Sequence, residues 1–173
     1  MTDTRPKVPY AADERATLVG FLDWHRATLK RKAGDLDAAE LNQVLPPSDM
    51  TLGGMVKHLA LVEDWWFGTN LVGDADDEPW ASVDWDADED WDWHSAVDDT
   101  PDQLWAQWEE SVRRSDERLA SCETLDQIMV RRHPKTGEGL SLRWMLLHMI
   151  EEYARHIGHA DLIRQSIDGS VGD

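Results

Sequence analysis

The sequence predicts an all-α fold, a four-helix bundle with a long acidic, tryptophan-rich connection between its second and third helices. Three observations predict it: four stretches carry apolar residues at helical spacing, no long stretch alternates as a strand does, and turn residues separate the stretches. A chain of 173 residues suits one ordinary domain, so we expect residues 1–173 to form a single helical bundle.

The first two helices are predicted from their apolar faces and from the glycines that follow them. The first spans about residues 13–33 and ends at Gly34, and the second spans about residues 51–72 and ends at Gly73. The residues expected to face inward are Leu18, Phe21, Leu22, His25 and Leu29 on the first helix, and Met55, His58, Leu61, Val62 and Trp65 on the second.

The third and fourth helices follow the acidic connection, residues 74–99, which we expect to carry a short helix and to cover one end of the bundle. Thr100 begins the third helix, because Pro101 and Gln103 follow it at the spacing of a capping box, and this helix runs to about residue 121. Residues 130–140 are rich in turn formers and predict a short hairpin. The fourth helix then spans about residues 141–166.

Charge and cysteine usage exclude several classes of partner. The formal net charge is −18, which repels nucleic acid backbones and anionic lipid surfaces, so we expect neither nucleic acid nor a membrane as a partner. The chain has no apolar run long enough to span a bilayer, and its first residues lack the layout of a secretory signal. Cys122 is the only cysteine, in agreement with a reducing compartment, so we expect a cytoplasmic protein.

Three side chains able to bind metal are predicted to point inward from two helices. On the fourth helix, Glu152 and His156 are spaced i, i+4, so they lie one above the other on the face that should meet the core. On the second helix, His58 lies in the middle of the apolar stripe. A buried carboxylate without a partner is very costly, and a cation shared by Glu152, His156 and His58 removes that cost. From the spacing alone, Glu152 could instead pair with Arg155 on the surface, and the histidines could be satisfied core groups.

Two further histidines are candidates for a catalytic role. His159 lies on the same stripe as Glu152 and could be a fourth ligand, a general base or a support for a ligand, or could simply pack near the site. His25 faces inward on the first helix and could line the pocket or belong to the core. His148 is a candidate for the core or for support of a ligand. We expect His94 and His133 to be solvated, because they lie in predicted loops.

Residues 141–164, SLRWMLLHMIEEYARHIGHADLIR, resemble the last-helix signature of the DinB-like superfamily, and most closely the actinobacterial branch that includes mycothiol S-transferases. Residues 53–59 with 63–66, and the hairpin residues 132–138, resemble other parts of the same pattern. Many DinB-like proteins use three histidines, whereas Glu152 here replaces the first histidine of the last-helix pair. Mycothiol-dependent maleylpyruvate isomerase is similar in using two histidines and a glutamate.

The resemblance implies a metal-dependent thiol S-transferase. A low-molecular-weight thiol such as mycothiol would be the co-substrate, an electrophilic small molecule its partner, and the acidic connection would shape the electrophile site. His58, Glu152 and His156 would hold a divalent metal, with zinc the first choice and nickel, iron or manganese the others. Isomerisation or hydrolysis, a non-catalytic metal-binding bundle and a metal-free interaction domain stay open as alternatives. Exposed tryptophans suggest a homodimer.

Overall fold

The computed structural model describes residues 5–172, and its secondary structure is mostly helical. The long helices are α1 (Glu14–Ala33), α3 (Leu52–Glu63), α5 (Pro101–Ala120) and α6 (Leu142–Asp168), with short helices α2 (Ala38–Leu41) and α4 (Trp91–His94) between them. A small hairpin, β1 (Ile128–Arg132) and β2 (Gly139–Ser141), precedes α6. The predicted fold class, an all-α four-helix bundle, is confirmed, and the four long helices follow one another in the predicted order.

The described chain divides into two compact units, and the single-domain assignment of residues 1–173 stays a prediction. One unit contains residues 5–52 and 146–172, and the other contains residues 53–145. None of the helices within residues 5–172 combines the length and the apolar composition that a bilayer span requires.

In the first unit, α1 begins as its sequence dictates. Asp13 is the N-cap, because its Oδ1 accepts a hydrogen bond from the backbone N–H of Ala16 over 2.9 Å. Arg164 links α6 to the end of α1, because it donates to the Lys32 carbonyl over 2.9 Å and to the Asp35 carboxylate over 2.5 Å. The apolar core of this unit consists of Leu22, Leu29, Ala33, Leu36, Leu41, Leu52, Leu146, Met149, Tyr153, Ile157, Ala160 and Ile163.

Phe21 is an exception to the predicted inward face of α1, because its side chain is exposed. Leu22 and Leu29 are buried as predicted, whereas Leu18 and His25 are partly exposed. The apolar stripe of α1 is therefore narrower than the periodicity indicated, and Phe21 lies beyond its edge.

In the second unit, α3 does not continue as an α-helix to residue 72. It changes at Asp64 into a π-helical stretch, Asp64–Val72, which ends at Gly73 with φ of 81°. A π-helix turns by a smaller angle per residue than an α-helix, so the 3.6-residue periodicity no longer applies beyond Glu63. Trp65, predicted to face inward, is exposed for this reason.

The connection between Gly73 and α5 is ordered by short helical turns and by a buried carboxylate. It contains 3₁₀ turns at Trp80–Ser82 and Ser95–Asp98 on either side of α4. Asp64 accepts hydrogen bonds from Trp80 Nε1 over 3.0 Å and from Ser111 Oγ over 2.6 Å, and it also forms two bonds with Arg114. This one carboxylate therefore joins the π-helical stretch, the connection and α5.

The start of α5 and the hairpin agree with their sequence signals. Thr100 and Gln103 form the predicted capping box, with Pro101 in the first turn. In the hairpin, β1 and β2 pair antiparallel. The backbone N–H groups of Leu142 and Arg143 then donate to carbonyls of the segment before β1, each over 2.9 Å, which fixes the start of α6.

Candidate metal centre

Helix α6 brings Glu152 and His156 into direct contact. The i, i+4 spacing stacks the two side chains, and His156 Nε2 lies 3.3 Å from Glu152 Oε1. His156 is buried and Glu152 is partly buried. Two ligands of a tetrahedral zinc ion lie about 3.4 Å apart when each metal–ligand distance is near 2.1 Å. The separation of these two atoms therefore suits two ligands of one ion.

His159 lies one turn beyond His156 on the same helix, as predicted. The two imidazole rings are 5.9 Å apart, edge to face. Burial, followed by the nearby charges of His156 and Arg155, lowers the pKa of the His159 imidazole below its ordinary value. A histidine with a lowered pKa is neutral near pH 7, which is the form that can accept a proton.

His25 on α1 has a similar electrostatic setting. Burial lowers the pKa of its imidazole, and its ring contacts Trp24 edge to face at 5.1 Å. Among the described residues, the buried Nδ1 atoms of His25 and of His159 have no hydrogen-bond partner. Each ring therefore has a nitrogen that is shielded from solvent and available to another group.

On α3, His58 is held by two residues of the acidic connection. Its Nδ1 lies 2.6 Å from Asp92 Oδ2, and its ring stacks on that of Trp93 with centroids 4.8 Å apart. Asp92 is buried although it belongs to the acidic connection. The preceding residue, Lys57, also contacts this segment, through Asp99 over 2.5 Å and through the ring of Trp91.

The remaining histidines and the cysteine have other surroundings. His94 is exposed and contacts Asp88 over 2.9 Å. His133 accepts a hydrogen bond from Thr136 in the hairpin turn and is partly exposed, so only His94 is fully on the surface. His148 lies 3.5 Å from Glu151 and is partly exposed. Cys122 is buried, with its Sγ 3.5 Å from a main-chain carbonyl.

Sequence reasoning missed the role of Asp92. Between His58 and Glu110 the chain contains no Lys or Arg, so the many acidic residues of the connection resemble a uniform solvated surface. The one signal was local: Asp92 stands between Trp91 and Trp93, where apolar neighbours on both sides favour burial of the segment. Its partner lies 34 residues earlier, and no periodicity connects residues that far apart.

Glu152 and His156 offer two neighbouring ligand atoms for a metal ion on α6, and His58 on α3 is a third side chain of a type that binds such ions. Two imidazoles and one carboxylate suit zinc and other first-row divalent metals. No curated protein matches the chain. The model of the mycothiol-S-transferase family does match, over residues 17–169, and it confirms the resemblance to this DinB-like branch. The chain therefore belongs to the mycothiol S-transferase family.

Proposed function

We propose that this protein is a metal-dependent S-transferase that joins mycothiol, or a similar low-molecular-weight thiol, to an electrophilic small molecule. The observation that carries the proposal is the family match over residues 17–169, since the family is named for transfer to or from mycothiol sulfur. The donor set on α3 and α6 supports it chemically, because thiol transfer requires a thiolate near neutral pH.

We propose that His58, Glu152 and His156 bind one divalent ion, with zinc the first choice. Two imidazoles and a carboxylate leave at least one coordination position for another ligand, as in catalytic zinc sites. A bound zinc ion would lower the pKa of a thiol that reaches this position and would orient its sulfur. The 3.3 Å separation of His156 Nε2 and Glu152 Oε1 supports the assignment of these two ligands.

His159 and His25 are proposed to handle the proton that the thiol loses. Both imidazoles have pKa values lowered by burial, so both are neutral and able to accept a proton at pH 7. His159 is the stronger candidate, because its ring contacts that of His156. His159→Gln should lower the conjugation rate by about 10²-fold while zinc content stays at the wild-type level.

The tryptophans of the acidic connection are proposed to shape the electrophile site. The rings of Trp80 and Trp85 each contact that of Trp91 edge to face, which gives this segment an aromatic surface. We also propose a cytoplasmic location, where low-molecular-weight thiols are kept reduced. A homodimer stays a prediction.

The test is thiol consumption by the purified full-length chain. Protein prepared without chelator is assayed for metal and then mixed with mycothiol and a generic electrophile such as 1-chloro-2,4-dinitrobenzene. We expect conjugation that stops when a chelator removes the metal and returns when zinc is added.

Variants separate catalysis from binding in the same assay. Glu152→Ala and His156→Ala should each lower both metal occupancy and conjugation, whereas His94→Ala should change neither. Metal binding without conjugation for any bacterial thiol would mean that the protein is a metal-binding bundle and not an S-transferase. Wild-type protein that binds no zinc at all would exclude both the metal-dependent S-transferase and the metal-binding bundle.

A further inference from the structure

The most informative contact outside the proposed ligand set is the one between Asp92 and His58. Their closest atoms, Asp92 Oδ2 and His58 Nδ1, are 2.6 Å apart. An ionised carboxylate can only accept hydrogen bonds, so the ring nitrogen that faces it must carry the proton. In the neutral imidazole, the lone pair then belongs to the other nitrogen, Nε2.

We infer that Asp92 is a positioning residue, which fixes the tautomer and the ring orientation of His58 so that Nε2 is the metal-binding atom. This inference rests on the proposed metal centre, in which His58 is a ligand. A carboxylate that accepts from the second ring nitrogen of a metal-bound histidine fixes the ring and raises its basicity. Asp92 has the chemistry and the distance that this role requires.

Two contacts of Lys57 keep Asp92 in position. The Lys57 ammonium lies 2.5 Å from Asp99 Oδ2 and 4.4 Å from the centroid of the Trp91 ring. These two partners flank Asp92 in sequence, so the segment 91–99 is attached to α3 on both sides of the carboxylate. Lys57 is buried and Asp99 is partly exposed, so breaking this pair would leave the buried ammonium without compensation.

Trp93 restricts His58 further. Its ring lies 4.8 Å from the imidazole with an angle of 27° between the planes, which is a stacked arrangement. Stacking limits rotation of the imidazole about its χ2 angle, and the bond to Asp92 selects one of the two ring flips. Three consecutive residues, Trp91, Asp92 and Trp93, therefore contact two consecutive residues of α3. Residues 91–93 of the acidic connection therefore hold His58 in one orientation.

The first measurement is zinc affinity. The metal-free full-length protein is titrated with Zn²⁺ against a competing chelator, for the wild type, Asp92→Asn and Asp88→Asn. The asparagine amide can donate to Nδ1 and favour the tautomer that protonates Nε2, so we expect Asp92→Asn to bind zinc about 10–100-fold more weakly. Asp88→Asn removes the same charge from the same connection and should bind zinc as the wild type does.

The second measurement needs no metal. In metal-free protein with ¹⁵N-labelled histidine, NMR should find the His58 proton on Nδ1 in the wild type and redistributed toward Nε2 in Asp92→Asn. If Asp92→Asn does not fold, Asp92→Ser removes the carboxylate without adding volume, and it should weaken zinc binding in the same range.

The outcomes separate this inference from the proposed function. A wild type that binds zinc, with an Asp92→Asn variant of equal affinity, would overturn the positioning role alone. A wild-type His58 that carries its proton on Nε2 would overturn it as well. A wild type that binds no zinc would instead overturn the metal centre on which the inference depends, whatever the tautomer.

Discussion

Two pairs of histidine and aspartate involve the acidic connection, and they differ in burial. Asp88, Asp92 and His94 belong to the connection, whereas His58 belongs to α3. His58 and Asp92 are 2.6 Å apart, with side chains 19% and 4% exposed. His94 and Asp88 are 2.9 Å apart, with side chains 62% and 34% exposed. The residue types and the distances are nearly the same in both pairs. Burial alone therefore distinguishes a pair that can orient a metal ligand from one that stabilises a surface turn.

The comparison also shows that a run of acidic residues can include one buried aspartate with a specific partner. Water competes for both partners of the exposed pair, so its geometry can rearrange at little cost. Asp92 is shielded from water, so its oxygens depend on partners supplied by the protein. The contrast between the two pairs can be tested by replacing His58 and His94 in separate variants.

The largest expected effect is the loss of zinc binding in His58→Ala. This substitution removes a proposed ligand, so the loss of affinity should exceed the roughly hundredfold limit for a supporting residue. His94→Ala is the matched control and should keep wild-type zinc stoichiometry. Metal analysis after dialysis measures both variants. Loss of zinc from His94→Ala, with retention in His58→Ala, would mean that the metal centre has been assigned to the wrong pair.

A second large effect concerns stability. Asp64 is a buried carboxylate whose partners are arginine, tryptophan and serine. Asp64→Ala removes the acceptor of Trp80 Nε1 and of Ser111 Oγ, while Arg114 keeps only its contacts with more exposed carboxylates. We expect a loss of about 3 kcal/mol in the free energy of unfolding, at the low end for broken buried pairs because Arg114 is partly exposed. Asp88→Ala alters an exposed pair and should leave the free energy of unfolding close to the wild-type value. Urea denaturation measures both, and equal effects would show that burial does not separate the two carboxylates.

A smaller effect is expected when the stacked ring beside His58 is removed. Trp93→Leu keeps an apolar side chain but loses the aromatic contact, which is worth about 1 kcal/mol. Zinc affinity should fall about fivefold, the factor that corresponds to this energy. Trp85→Leu alters another aromatic ring of the connection without touching His58. Chelator competition compares the two, and an equal decrease in both variants would contradict a specific role of Trp93.

The smallest effect concerns the exposed pair and its dependence on pH. The hydrogen bond from His94 lowers the pKa of the Asp88 carboxyl below its ordinary value. The stabilisation by this pair is therefore present above the ordinary pKa of aspartate and is lost as the pH falls through the lower folded value. His94→Ala should raise the pKa of Asp88, as followed by carboxyl ¹³C NMR. Identical titration midpoints in both proteins would exclude the bond in solution.

Much of the fold could be predicted because its signals are local. The capping box at Thr100, the hairpin and the start of α6 depend on neighbouring residues, and all three are found as expected. The contact between Glu152 and His156 was predictable for the same reason, since a helix fixes the geometry of i, i+4 pairs.

The π-helical stretch and the contact between Asp92 and His58 could not be predicted, because a local sequence pattern does not determine them. Nothing in the spacing of residues 51–72 indicated the change to a π-helix at Asp64, and the outward position of Trp65 follows from that change. The pairing of Asp92 with His58 depends on how the connection returns to α3, which periodicity does not describe. His58 could thus be predicted as a ligand candidate, while the residue that orients it could not.

The connection between α3 and α5 is attached to the neighbouring helices near both of its ends. Near its start, Arg118 contacts Asp74 over 2.8 Å and Trp80 bonds to Asp64, and near its end Asp92 and Asp99 contact α3. Residues 83–90 between these points are mostly exposed. Insertions there would be tolerated, because the added chain would extend into solvent and leave both attachments intact. A reporter peptide inserted into this stretch should therefore leave the contacts of His58 with Asp92 and Trp93 unchanged.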